Sequence, residues 1–242
     1  MMDGPPPQEP APDETQRSAL TSFSAHLVFW LTAGLILVVD LASKAWVFNE
    51  LGPDEARTIV PGVVEFRRSL NDGAVFGSFS GRVGLFIVAS VFALGFVFYL
   101  FACSPRSRGS MHVCLALILA GALGNLYDRA RMQADVITFL DADRENQSYI
   151  GLVVEESGEV LRVGRWPEAD QVRTFRRSDV AVRRQGVVRD FIKFVPSFPK
   201  WVPWLRGREV WPWVFNVADT ALVCGVGALL AISWVRRAPQ SD

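Results

Sequence analysis

Phe215-Asn216-Val217-Ala218-Asp219 heads the last apolar stretch of this 242-residue chain, and the aspartate in that place decides how the rest is read. A charged side chain inside a bilayer costs roughly 2.5–3.5 kcal/mol even on lenient insertion scales, so such a residue marks a working site. A second aspartate stands at the tail of the preceding apolar stretch, in Gly121-Ala122-Leu123-Gly124-Asn125-Leu126-Tyr127-Asp128-Arg129. Asp128 and Asp219 each follow an asparagine three residues upstream, Asn125 and Asn216. One helical turn separates the members of each pair, so amide and carboxylate share a face.

Working outward, half of the residues are hydrophobic, and they gather into four stretches: His26–Phe48, Val83–Cys103, Met111–Tyr127 and Phe215–Val235. Each is about 17–23 residues long, enough to span a hydrocarbon core of about 30 Å. A soluble four-helix bundle would need polar stripes, which the second and fourth stretches lack. The fold class is therefore an α-helical integral membrane protein with four transmembrane helices. The first stretch is too long for a signal peptide and lacks a small-residue cleavage site, so it is expected to stay as a helix. Residues 1–21, rich in Pro, Gln and acidic groups, read as a disordered cytoplasmic tail.

Lys and Arg together balance Asp and Glu at 25 each, so no global field points to nucleic acid. Cys103, Cys114 and Cys224 form no Cys-x-x-Cys pair, and His26 and His112 offer no ligand cluster. Neither a disulfide framework nor a metal site is expected.

Orientation follows from the basic residues. The link between the second and third stretches carries Arg106 and Arg108 without an acid, and the last helix exits into Arg236-Arg237. Both belong in the cytoplasm by the positive-inside rule. Both termini are then cytoplasmic, with residues 49–82 and 130–212 outside. In that topology Asp40, Asn71, Asp128 and Asp219 converge at one depth, near the outer leaflet boundary.

The outer segments have β character. Thr58 to Arg68 reads as strand around a Pro61-Gly62 turn, leading to Asn71-Asp72-Gly73-Ala74-Val75-Phe76-Gly77. Ile150 to Val163 reads as a hairpin turning at Ser157-Gly158. Val188-Arg189-Asp190-Phe191-Ile192 is apolar around one carboxylate, and Trp201, Trp204, Trp211 and Trp213 follow with the density of an interfacial belt. Asp190 is thus brought back to the membrane surface. The expected organisation is a tail (1–21), three helices with an outer β loop (22–132), an extracytoplasmic β-rich insertion (133–185), and a loop with the fourth helix (186–242).

Taken in order, these residues resemble the lipoprotein signal peptidase family, also called signal peptidase II. Asp40-Leu41-Ala42-Ser43-Lys44 is similar to its first-helix motif, and Asn71 to Gly77 to its Asn-x-Gly-Ala-x-Phe loop. Gly121 to Arg129 resembles its Gly-Asn-x-x-Asp-Arg helix end. Val188 to Ile192 resembles its Val-Val-Asp-Phe-Ile segment, and Phe215 to Asp219 its Phe-Asn-x-Ala-Asp element. The resemblance implies an aspartic endopeptidase of the bacterial inner membrane that removes signal peptides from prolipoproteins, cutting before a diacylglyceryl-modified cysteine. It implies a catalytic pair, Asp190 and Asp219, with one water and no metal or cofactor. Its partners would be diacylglyceryl-modified prolipoproteins and membrane lipids, with the enzyme itself monomeric.

Supporting roles follow residue by residue. Asn71 and Gly73 would bind the extended precursor, and Asn125 and Asn216 would hydrogen-bond the carboxylates or the substrate backbone. Asp128 and Arg129 would hold the site together, and Asp40 and Lys44 would pair one helical turn apart. The insertion at 133–185 and the Arg at 189 depart from the family pattern. Asp128 is therefore the next candidate for the second carboxylate, ahead of Asp135, Asp141 and Asp143. Two other readings compete: a small ion- or proton-coupled transporter subunit, and an inactive relative that binds lipoproteins as a scaffold.

Overall fold

Helix α1 (Phe23–Glu50) begins where the Ser22 hydroxyl accepts the Ala25 N–H, one of the first-turn donors that a helix leaves unbonded. It is followed by α2 (Val83–Cys103), α3 (Gly109–Arg131) and α4 (Val217–Val235). The computed structural model describes residues 18–73, 83–141 and 147–235. Readings placed on Met1–Arg17, Ala74–Gly77, Asp143 and Arg236-Arg237 lie outside those residues.

Among the described residues, α1, α3 and α4 are long and apolar enough to cross a membrane, while the apolar stretch found in α2, Val91–Cys103, is shorter. Their outward faces are apolar too: Phe92, Val223 and Trp234 are 75%, 70% and 80% exposed. Water would penalise such faces, and lipid does not.

α3 is the central helix, packed against α1 on one side and α4 on the other. Small residues allow the approach. A β-carbon at Gly121 would strike the Ala218 carbonyl, and one at Gly124 would strike the Asp40 carboxylate. Phe29, Phe101, Leu115 and Leu119 fill the core at the opposite end of the bundle from Asp128 and Asp219.

Residues 18–21, expected within the disordered tail, are ordered against that core. Ala19–Thr21 forms a 3-10 turn, the Ala19 N–H donates to the Ser104 carbonyl at 2.8 Å, and the Ser18 hydroxyl donates to the Ala102 carbonyl at 2.6 Å. Ala19 is fully buried, so apolar burial and these bonds outweigh the polar composition of the residues before it.

Among the described residues, nine strands form two antiparallel sheets. One has the order β1-β2-β8-β9, made from β1 (Ala56–Val60), β2 (Val64–Asn71), β8 (Val188–Phe194) and β9 (Val214–Phe215). The other has the order β6-β5-β4-β3-β7. It comprises β3 (Gln133–Phe139), β4 (Ser148–Glu156), β5 (Val160–Arg165), β6 (Asp170–Arg176) and β7 (Val180–Gly186). The hairpin expected at Ser157-Gly158 joins β4 to β5, closed by reciprocal backbone bonds between Ser157 and Val160.

The chain passes from the second sheet to the first at Val187, whose N–H donates to the Met132 carbonyl at 2.9 Å. Gly186 lies so close to the Arg129 carbonyl that no side chain would fit there. β3 therefore leaves α3 and β7 returns to the same point, and the next strand carries Asp190. In that register Ser69 faces Asp190, Asn71 faces Val188, and Phe215 of β9 faces Ile192. This pairing joins residues distant in sequence at the head of α4.

Candidate active site

Asn216 is the point where the site closes. It is fully buried, and its side-chain amide donates to the Asp190 Oδ1 at 2.6 Å while its backbone N–H donates to the Asp219 Oδ2 at 3.1 Å. One residue thus spans both carboxylates. Asn71 donates to the other oxygen of Asp190 at 3.1 Å, and Asn125 donates to the Asp219 Oδ1 at 2.8 Å. The two aspartates receive only neutral amide donors in these bonds.

The amides are themselves aimed. The Asn71 Oδ1 accepts the Gly73 N–H at 2.8 Å, in a turn whose φ of +86° suits glycine. The Asn125 Oδ1 accepts from the Lys44 ammonium at 3.1 Å and from the Asn216 amide at 3.2 Å, which leaves its NH2 directed at Asp219.

A second group of buried carboxylates supports the first. Lys44 contacts Asp40 at 2.8 Å and Asp128 at 3.5 Å, all three being fully buried. The pair expected between Asp40 and Lys44 is therefore part of a larger cluster. The other Asp40 oxygen accepts the Ala218 N–H at 2.8 Å and so pins the first turn of α4. Asp128 also receives Arg189, through Nη2 at 2.7 Å, Nε at 3.3 Å and the backbone N–H at 3.0 Å. Arg189 looked like a mismatch in the sequence, yet it ties β8 to the end of α3 beside Asp190.

Asp190 is 1% exposed. Burial pushes its carboxyl up to about 7, reinforced by the negative charge of Asp219 and opposed by the Asn71 and Asn216 donors. Arg129 lies within electrostatic reach of Asp190, Asp219 and Asp72.

Asp190 and Asp219 both line a cavity of about 1000 Å³, with Asn71 and Asp72 beside them and Trp211, Trp213 and Phe215 on one flank. Asp128 does not line it. Asp135 sits in β3, accepting the Val153 N–H at 2.8 Å and 3.6 Å from Arg184, and Asp141 is exposed beyond that strand. Neither lines the cavity.

Two further residues escaped the sequence reading. The Lys193 ammonium, 2% exposed, pairs with Glu209 and donates to the Trp211 and Pro212 carbonyls at 3.1 and 2.9 Å. It ties the tryptophan-rich loop back to β8. Trp166 of the insertion packs against Phe48 with ring centroids 6.1 Å apart and lines the same cavity. An isolated lysine and one tryptophan among eight carried no signal without the register.

A family model described as signal peptidase (SPase) II matches residues 32–235. The chain belongs to the signal peptidase II family. It is 26% identical over 206 residues to a lipoprotein signal peptidase of Desulfitobacterium hafniense (strain DSM 10664 / DCB-2), an alignment covering 85% of this chain and 92% of that one. It is 33% identical over 113 residues to the lipoprotein signal peptidase of Latilactobacillus sakei subsp. sakei (strain 23K), covering 47% and 75% respectively.

A bacterial membrane enzyme structure at 1.9 Å resolution shares its fold, with a TM-score of 0.56, 18% identity and coverage of 92% of this chain and 98% of that one. A second, at 2.3 Å, has the same TM-score and 17% identity. The protein is thus an integral membrane protease of the lipoprotein signal peptidase type. These likenesses support neither a transporter subunit nor an inactive scaffold.

Proposed function

We propose that the protein is a membrane aspartic endopeptidase that cleaves diacylglyceryl-modified prolipoproteins before the lipidated cysteine, with Asp190 and Asp219 as its catalytic pair. The observation that carries this reading is the double hold of Asn216 on both carboxylates at the wall of the cavity. The neighbouring buried pair, Asp40 and Asp128, is instead bonded by Lys44 and Arg189.

The raised Asp190 carboxyl supports one assignment of the steps. Two carboxylates at one low-dielectric site share a proton, and the raised Asp190 is the one that holds it near neutral pH. Asp219, bonded by Asn125 and the Asn216 N–H, serves as general base. It takes a proton from water as the water oxygen attacks the scissile carbonyl carbon. Asp190 donates its proton to the carbonyl oxygen, giving a neutral gem-diol. On collapse Asp190 recovers that proton, and Asp219 delivers its own to the departing cysteine nitrogen. The cycle balances with one water consumed.

The membrane placement completes the reading. Four spans, including α2, set both termini in the cytoplasm and the catalytic pair near the outer leaflet of the inner membrane. The lipid-facing helices receive the apolar signal segment and acyl chains, and one chain supplies the whole catalytic pair, so a monomer suffices. Asn71, whose side chain is held by the Gly73 N–H, lines the cavity that receives the extended precursor.

The test is cleavage of a diacylglyceryl-modified precursor by the purified protein in lipid, with the cut bond read by mass spectrometry. Cleavage directly before the lipidated cysteine, abolished by Asp219→Asn, is expected. A cut elsewhere, or an active Asp219→Asn protein, overturns the assignment.

A further inference from the structure

We propose that the inserted sheet β3–β7 forms one wall of the substrate cavity and binds the stretch of polypeptide downstream of the cleaved bond. This rests on the peptidase reading and extends it to the polar side of the precursor.

The cavity has two walls of different origin. Asp190, Asp219 and Phe215 come from β8, β9 and α4, and Ser148, Tyr149, Ile150, Arg165 and Trp166 come from the insertion. A volume of about 1000 Å³ is at the upper end for a ligand site and exceeds what a scissile peptide group and one water require.

The insertion wall is fixed in place. Arg165 pairs with Asp54 at 3.0 Å, and Arg68 of β2 donates to the Trp166 carbonyl at 3.3 Å. The Trp166 ring N–H donates to the Gln133 carbonyl at 3.0 Å, and Trp166 joins the apolar cluster of Phe48, Leu51 and Phe191. Hence the wall is held against both the end of α1 and the strand that precedes Asn71.

Its chemistry selects the downstream side. The signal segment and acyl chains are apolar and belong with the exposed faces of the helices. The insertion instead presents the side chains of Gln147 and Ser148, both exposed, and Arg165, which pairs with Asp54 of the outer loop. Those groups suit an extended, hydrated backbone, which rises about 3.3 Å per residue and so places its next residues along the wall after leaving the dyad.

The experiment uses the full-length protein in lipid and two diacylglyceryl-modified precursors. One ends at the lipidated cysteine, and the other continues into a polar downstream segment. For the wild type, kcat/KM should favour the continued precursor about tenfold, because remote contacts contribute binding energy. Ser148→Trp, which fills the cavity, should bring the ratio of the two substrates close to one, mainly through KM. Val172→Ala, on the exposed edge strand β6 outside this cavity, should keep the wild-type ratio.

The ratio cancels any loss of folded enzyme. Equal cleavage of both precursors by the wild type, or a Ser148→Trp ratio equal to the wild type, overturns the subsite while leaving the peptidase intact. A wild type that cuts neither precursor overturns the peptidase reading and the subsite with it.

Discussion

Four buried or half-buried aspartates meet where α1, α3, β8 and α4 converge, and the molecule treats them in two ways. Asp40 and Asp128 are bonded by cations, Lys44 and Arg189, together with backbone N–H groups. Asp190 and Asp219 are bonded by the amides of Asn71, Asn125 and Asn216. A cation at hydrogen-bond distance makes a short, charge-assisted bond that fixes where a carboxylate sits. An amide orients a carboxylate without neutralising it, so the proton stays free to move. Under the proposed mechanism the same residue type serves as scaffold in one region and as catalyst in the other.

The two regions are also coupled. Arg189 is next to Asp190 in the strand, and Lys44 aims the Asn125 amide that bonds Asp219. The cationic cluster sets the position of the pair while the amides orient its oxygens. That division can be broken from either side.

The largest effect is expected from removing a member of the amide-held pair. Asp219→Asn should lower kcat at least 10³-fold, in line with general acid–base contributions of about 10²–10⁴, with the protein still folded in lipid. Next, Arg189→Leu leaves Asp128 short of its main partner. Breaking a buried ion pair from one side costs about 3–5 kcal/mol, so the variant should unfold at markedly lower denaturant and lose activity through misplacement of Asp190. Asn216→Ala should reduce kcat by roughly 10–100-fold with little change in KM. It removes the amide that orients Asp190 and the side-chain oxygen that accepts the Asp219 N–H, while the backbone bond to the Asp219 carboxylate stays.

The pH profile sharpens the same comparison. Asp190 has a folded-state value raised above its ordinary 3.8 to about 7. The shared proton is therefore present below that value and lost above it, so activity should fall along an alkaline limb centred near pH 7. The sign for stability is the same: this group favours the fold at low pH and loses that contribution as pH rises through about 7. In Asp219→Asn the neighbouring charge is gone, so the infrared carboxyl band of Asp190 should titrate at lower pH than in the wild type. The smallest effect belongs to Asp135→Asn, which removes a β3 contact away from the cavity and should change kcat/KM less than twofold.

Much of this was legible in the sequence because the polar residues are costly where they stand. Asp219, Asn216, Asp128 and Asn125 announce themselves against apolar runs, and the hairpin at Ser157-Gly158 follows from strand alternation and a turn pair. What was hidden depends on pairing between distant segments. Arg189 interrupts the expected Val-Val-Asp order, and only the register of β8 beside α3 reveals it as the partner of Asp128. The insertion read only as an extracytoplasmic β-rich segment, because local pattern cannot tell which strand of a sheet turns toward a cavity. Residues 18–21 read as tail because their partners, Ala102 and Ser104, lie far along the chain.

The most direct measurement compares Asp190→Asn with Asp128→Asn at matched amounts of folded protein in lipid, reading single-turnover cleavage of one diacylglyceryl-modified precursor. Near-total loss of the chemical step in Asp190→Asn, with measurable cleavage surviving in the folded fraction of Asp128→Asn, is the predicted result. Cleavage that survives Asp190→Asn and vanishes in folded Asp128→Asn would contradict the account and place the second catalytic carboxylate at Asp128.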